Sequence, residues 1–253
     1  MFLNTWCVFK IKNKYIVYII MNSDELIESE IKKHGNTNLI TNSCLQSGSH
    51  IFAIGDSHTI FFYNSMKIFE HWFYNCSLPL TIYRLLNEDL DIYNIGNCLG
   101  NLHEKYNIKE NDYVIFYFGF NDIQRNITKH AEHRWQNEIT NLFTSFVDKV
   151  LVLSSKYKIK PIIPCVYPNP RPDAHGQNPC GTYEQRRMYT VFANNMLKQL
   201  CETNNLPFLD IYDLITDEYG FIKREITADN IHLDYNNKKI RHLVEDNIYK
   251  FCF

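Results

Sequence analysis

A serine that follows a buried apolar run and a sharp turn is the first residue in this chain whose setting suggests chemistry. The segment "IFAIGDSHTIFFYN" (51–64) is apolar up to Gly55 and then presents Asp56, Ser57 and His58. A serine hydroxyl is a poor nucleophile at neutral pH. It needs a base, a group that orients the base, and donors for a developing oxyanion. The chain holds a candidate for each role. "TADNIHLDY" near the C-terminus carries His232 with Asp229 three residues before it. "FGFND" supplies the Asn121 side-chain amide, and "YNIGNCLGN" supplies Gly96 and Gly100, whose N–H groups a ligand can approach closely. In this reading Ser57 attacks a carbonyl, His232 accepts its proton, and Asp229 holds the imidazole tautomer. The Ser57 N–H, one glycine N–H and the Asn121 amide bind the oxyanion. Losing one such donor typically costs roughly 10²–10³ in turnover.

These residues can meet only if the fold brings them to one rim. "HIFAIG" is a buried strand by its continuous apolar run, and "LDIYNIG" is a second. "DYVIFYFG" (112–119) is the strongest strand signal, β-branched and aromatic up to Gly119. "KPIIPCVYP" and "LPFLDI" predict a fourth and a fifth strand. Helices are predicted over 60–74, over 131–157 with Ile139, Leu142, Phe143, Phe146, Val150 and Leu153 at helical spacing, over 182–203, and at the C-terminus. Such alternation implies a parallel sheet covered on both faces, with ligands bound outside the carboxyl ends of its strands. Ser57, Gly96 or Gly100, and Asn121 all follow strands, and Asp229 and His232 precede the last helix.

The first 48 residues read as an extension. "WCVFKI" and "YIVYII" predict a hairpin about "KNK", followed by a polar helix at 22–34 and a linker rich in Asn, Ser, Thr and Gly. Residues 49–253 form the main domain. The start of the chain lacks a leading basic region and a small-residue cleavage site, and its lysines interrupt any membrane-spanning run. A cytoplasmic or otherwise non-secreted protein, with no transmembrane segment, is therefore expected. A formal net charge of -2 with no long basic run argues against a nucleic-acid partner. The eight cysteines fit no zinc-site spacing, and reduced, mostly buried thiols are the expectation. His130 and His133 share a helix face, but nothing completes a metal site beside them.

Taken in order, Gly55-Asp56-Ser57, a glycine after the second strand, Gly119-Phe120-Asn121-Asp122 and Asp229-Asn230-Ile231-His232 resemble the four blocks of the SGNH, or GDSL-like, hydrolases. The resemblance runs from about residue 50 to residue 240. It implies a three-layer α/β/α sandwich with a central, mainly five-stranded parallel sheet. It also implies ester hydrolysis or acyl transfer with no cofactor and no metal. Neither glycine of the second block stands at the family's usual offset from Asn94. Gly100 is favoured for the oxyanion role, with Gly96 as its alternative.

"GDSH" also resembles SGNH domains linked to O-acetylation of surface polysaccharides, and "GDSHT" followed by "FGFNDIQRNI" resembles SGNH-like proteins associated with surface-glycan assembly, so a carbohydrate ester is the preferred substrate class. A lipid or thioester esterase, and a catalytically silent glycan-binding or assembly module, are the alternative readings. Four residues are secondary candidates for substrate contact. His58 follows the serine, and Arg125 follows the Asn121 loop. Arg171 and His175 lie in the long loop "PNPRPDAHGQNPCG", placed where loops shape specificity.

Overall fold

The structure is a computed structural model, and its described residues are 6–11, 14–19, 51–62, 81–88, 109–127, 133–174, 179–234 and 236–252. The chain divides into two units, Met1–Ile40 and Thr41–Phe253. In the first, Trp6–Ile11 (β1) and Lys14–Ile19 (β2) pair antiparallel, with Trp6 opposite Ile19 and Ile11 opposite Lys14. This is the expected hairpin, with β2 opening one residue early. The helix expected at 22–34 and the boundary expected at 48–49 lie outside the described residues.

The second unit is built on a parallel sheet. Ile51–Gly55 (β3) and Tyr113–Tyr117 (β4) are buried at every position, as strands covered on both faces must be. Lys160–Pro164 (β5) and Phe208–Leu209 (β6) extend the sheet in the order β3-β4-β5-β6. Ile51 sits opposite Tyr113, Gly55 opposite Tyr117, Ile115 opposite Ile162, and Pro164 opposite Leu209. The strand expected at 90–96 lies outside the described residues, so four strands of the expected sheet are seen.

The α-helices among the described residues are Ile82–Asn87 (α1), Trp135–Tyr157 (α2), Tyr183–Thr203 (α3), Tyr212–Ile215 (α4) and Lys238–Cys252 (α5). Side chains alternate across the sheet. Ile51, Ala53, Tyr113, Ile115, Tyr117 and Ile162 share one core with Ile240, Val244 and Ile248 of α5. The intervening residues Phe52, Ile54, Val114 and Phe116 are equally buried. Just past β4, the Phe118 ring lies 5.6 Å from Phe146 of α2. In turn α2 packs on α3, with Trp135 stacked on Tyr189 at 4.6 Å. Helices therefore cover both faces, and the architecture is the expected α/β/α sandwich.

Three elements differ from expectation at their ends. The fourth strand stops at Pro164 because the Asn194 amide of α3 takes over both backbone groups of Val166, accepting from its N–H at 2.7 Å and donating to its C=O at 3.1 Å. The fifth strand shrinks to two residues because Ile211 already leads into α4. The long helix opens at Trp135, preceded by a turn at His133–Arg134. Of the helix expected over 60–74, residues 60–62 lie in a 3-10 turn over Ser57–Phe62, and the rest lie outside the described residues.

One backbone contact closes β3 against β4. Gly55 has φ of 148°, and a Cβ on it would lie 1.9 Å from the Tyr117 carbonyl oxygen. No side chain fits there without parting the two strands. Gly55→Ala is expected to lower the unfolding free energy by about 3 kcal/mol or more. Urea unfolding of both proteins measures this, and a loss below about 1 kcal/mol would mean that the strands can part at little cost.

Candidate active site

The close approach of Gly55 to Tyr117 fixes the turn that follows. Asp56 N–H donates to the Tyr117 carbonyl at 3.0 Å, which continues the ladder one step beyond the strand. The Asp56 carbonyl then accepts from the Thr59 N–H at 3.1 Å and the Thr59 hydroxyl at 2.8 Å. This starts the 3-10 turn and leaves Ser57 half-buried at its head, past the carboxyl end of β3.

His232 reaches that serine across 175 residues of sequence: its Nε2 lies 2.9 Å from Ser57 Oγ. Its Nδ1 lies 2.6 Å from Asp229 Oδ2. A carboxylate only accepts, so Nδ1 carries the proton and Nε2 presents a lone pair to the serine hydroxyl. The other carboxylate oxygen holds the loop, accepting from Ile231 N–H at 2.9 Å and His232 N–H at 2.7 Å. The loop is closed at its base by a bridge between Thr227 and Leu233 and by Asp234 N–H donating to Ile226 C=O at 2.8 Å. At its tip Asn230 takes the left-handed conformation, φ 66°, which Asn tolerates better than most residues. Burial alone would raise the Asp229 carboxyl. The hydrogen bond and charge of His232, with the two N–H donors, outweigh it and hold the group well below the usual carboxylate range.

His58 lies beneath this pair, 1% exposed. Asp56 Oδ1 accepts from its backbone N–H at 2.9 Å and from Nδ1 at 3.0 Å. Its ring centroid is 4.3 Å from Phe120, 4.3 Å from Tyr167 and 4.8 Å from His232. Burial pulls the imidazole below the usual histidine range, against the pull of Asp56. The Phe120 contact brings the end of β4 to the same place. Asn121, the next residue, is 7% exposed at the start of a helical segment whose Asp122–Ile127 turns are π-helical. Asp122 points the other way in role. Its Oδ2 accepts from Ile82 N–H at 2.8 Å, which caps α1 together with the Thr81 side chain.

The remaining sequence candidates fall as follows. Arg171 is committed to the fold: one guanidinium nitrogen donates to Asp217 at 2.9 Å and to the Ile222 carbonyl at 3.0 Å. Its backbone N–H donates to the Asn230 carbonyl at 2.9 Å, so this loop braces the His232 loop. Arg125 is half-buried in the π-helical turns. Gly96, Gly100, His130 and His175 lie outside the described residues. Cys165 and Cys201 are buried free thiols, and Cys180 and Cys252 are partly buried free thiols. Among the described residues no His, Cys, Asp and Glu side chains cluster as metal ligands would. No helix among them is long and apolar enough to cross a membrane.

Two features of the site were not read from the sequence. One is the cap that Asp122 supplies to α1 from 40 residues away. The other is the aromatic enclosure of His58 by Tyr167, a residue that sequence alone shows only as part of a strand.

No protein-family profile matches the chain, and no curated protein matches it. Solved structures do. A Bacteroides fragilis protein named as a candidate acylhydrolase aligns with TM-score 0.52 at 17% identity, over 82% of this chain and 90% of that one. A Streptococcus pneumonia structure named for platelet activating factor gives 0.52 at 16%, over 91% and 98%. A GDSL-like lipase from Bacteroides thetaiotaomicron gives 0.52 at 16%, over 80% and 89%. The chain has the α/β/α fold of GDSL-like hydrolases.

The buried cap makes a stability prediction. Burial pushes the Asp122 carboxyl up to about 7, against the pull of the Ile82 and Tyr83 N–H groups. In the unfolded chain the group titrates near about 3.9. Between those values the folded chain holds the extra proton. The protonated group's contribution is therefore complete below about 3.9 and is lost as pH rises through 7. Asp122→Asn keeps an acceptor for the Ile82 N–H and cannot ionise. Its unfolding free energy relative to the parent should rise by roughly 1–3 kcal/mol between pH 5 and pH 8. Urea unfolding at the two pH values tests this, and a difference independent of pH would refute it.

Proposed function

We propose that this chain cleaves carboxylic esters through an acyl-enzyme on Ser57, and that its substrates are acetyl esters of carbohydrate. The observation that carries the reading is the continuous line from Ser57 Oγ through the His232 imidazole to Asp229, at 2.9 Å and 2.6 Å. The names of the solved structures that share the fold, acylhydrolase and GDSL-like lipase, support the reaction class. The carbohydrate preference rests on the "GDSHT" and "FGFNDIQRNI" resemblance.

The steps follow from the tautomer. His232 Nε2 takes the proton from Ser57 Oγ as the oxygen attacks the ester carbonyl carbon. The carbonyl oxygen becomes an oxyanion, received by the Ser57 N–H, the Asn121 amide and the N–H of Gly100 or Gly96. The C–O bond to the alcohol then breaks, and Nε2–H protonates the leaving oxygen. Water repeats the sequence on the acyl-enzyme, releasing the carboxylic acid and restoring Ser57. A sugar hydroxyl in place of water would make the same enzyme a transferase. Asp229 stabilises the imidazolium through both steps and is not itself protonated.

The test is a panel of p-nitrophenyl acetate and acetylated oligosaccharides, with fluorophosphonate labelling, applied to the parent and to variants. Ser57→Ala should abolish turnover and labelling. Asn121→Ala should cost roughly 10²–10³ in kcat. Asp229→Asn should cost about 10² or more, less than a fully buried triad acid would, because the Asp229 side chain is 49% exposed and water replaces part of its stabilisation. Labelling and turnover that survive Ser57→Ala would overturn the reading.

A further inference from the structure

A second Asp–His pair stands directly behind the first, and the proposed reaction does not use it. Asp56 Oδ1 accepts from both the backbone N–H and Nδ1 of His58. The carboxylate cannot donate, so the His58 proton sits on Nδ1 and Nε2 is a bare lone pair. That Nε2 is buried and has no hydrogen-bond partner among the described residues. An unpaired buried acceptor is costly, and a buried N⁺–H without a partner would be more so.

The geometry says what the ring is for. Phe120 and Tyr167 close on it at 4.3 Å, and the His232 ring rests against it at 4.8 Å. The His232 side chain is 21% exposed, so it has protein on the His58 side and solvent on the other. The groups that face His58 are Asp56 from its own turn, Asp229 and His232 from the 227–233 loop, and Tyr167 from the segment after β5. Tyr167 shares a hydrogen bond of 3.2 Å with Tyr117 of β4, and burial drives both phenols above their usual range, so neither supplies a charge.

We propose that His58 is a positioning residue for His232. It is a neutral imidazole, locked as its Nδ1–H tautomer by Asp56. Its ring sets the angle of the His232 imidazole toward Ser57. The proposal rests on the serine-esterase reading, because the angle matters only if His232 moves the serine proton. A positive charge on His58 would oppose the imidazolium that forms in each step. Burial keeps that charge away.

Two variants separate the ring from the hydrogen bond. In His58→Asn the side-chain amide nitrogen takes the place of Nδ1, so the bond to Asp56 stays and the ring is lost. In His58→Phe the ring stays and the bond is lost. The readouts are kcat and KM, and the NMR position of the His232 Cε1–H in protein carrying 13C-labelled histidine. His58→Asn should lower kcat about tenfold or more with KM within about threefold of the parent. Its His232 resonance should move toward the unfolded position as the neighbouring ring disappears. His58→Phe, which keeps a ring against His232, should hold kcat and KM within about threefold of the parent.

His58→Asn kinetics and a His232 resonance equal to the parent's would overturn the proposal. If His58→Phe does not fold, the His58→Asn kinetics and resonance still decide. If the parent itself shows no Ser57-dependent turnover, the esterase reading fails separately, and the NMR comparison alone decides whether His58 positions His232.

Discussion

The site depends on the Tyr117 carbonyl oxygen. It occupies the space where a side chain on Gly55 would be, and it accepts the Asp56 N–H at 3.0 Å. Those two facts end β3 at Gly55 and force the chain into a turn whose direction is set by β4. Everything that follows takes its position from that turn. Asp56 accepts from His58, Ser57 stands at the head of the 3-10 turn, and the His58 ring meets Phe120 just past the end of β4. A parallel sheet supplies this kind of platform because its strands all end on the same side.

Three carboxyl groups near this rim have different environments, and these divide their roles. Asp229 is partly open to water and bonded to His232, so it stays ionised and holds both a proton position and a loop. Asp122 is fully buried and accepts from the Ile82 and Tyr83 N–H groups of α1, and burial pushes its carboxyl up to about 7. Asp56 is buried between the turn and His58, where it selects a tautomer. The 227–233 loop needs its own support because it crosses from outside the sheet. That support comes from Asp229 within the loop and from the Arg171 backbone at Asn230, with the Arg171 side chain tied down at Asp217.

Much of this was legible in the residues. Continuous apolar runs ending in glycine marked β3 and β4, because a strand buried on both faces has no polar positions and a close approach admits no side chain. The pairing of Asp229 with His232 was legible because three residues is the span of a single turn. The ends of β5 and β6 were not, because they are decided by partners distant in sequence: Asn194 claims the Val166 backbone, and α4 begins at once after Ile211. Arg171 could be placed near the strand ends but not assigned a partner, since an arginine in a loop fits a ligand and an internal ion pair equally well. His58 posed the same problem. Its type allows substrate contact, and only the enclosing rings of Phe120, Tyr167 and His232 show that it is covered.

The central claim is that Ser57 carries the acyl group. The most direct measurement is to mix the protein with an acetylated substrate, quench with acid within the first turnovers, digest, and locate the acetyl group by peptide mass spectrometry. The account predicts acetylation at Ser57, rising to at most one group per chain and declining as substrate is exhausted. Turnover with an acetyl group on another residue, or with none on the peptide that holds Ser57 when deacetylation is slowed at low pH, would contradict it.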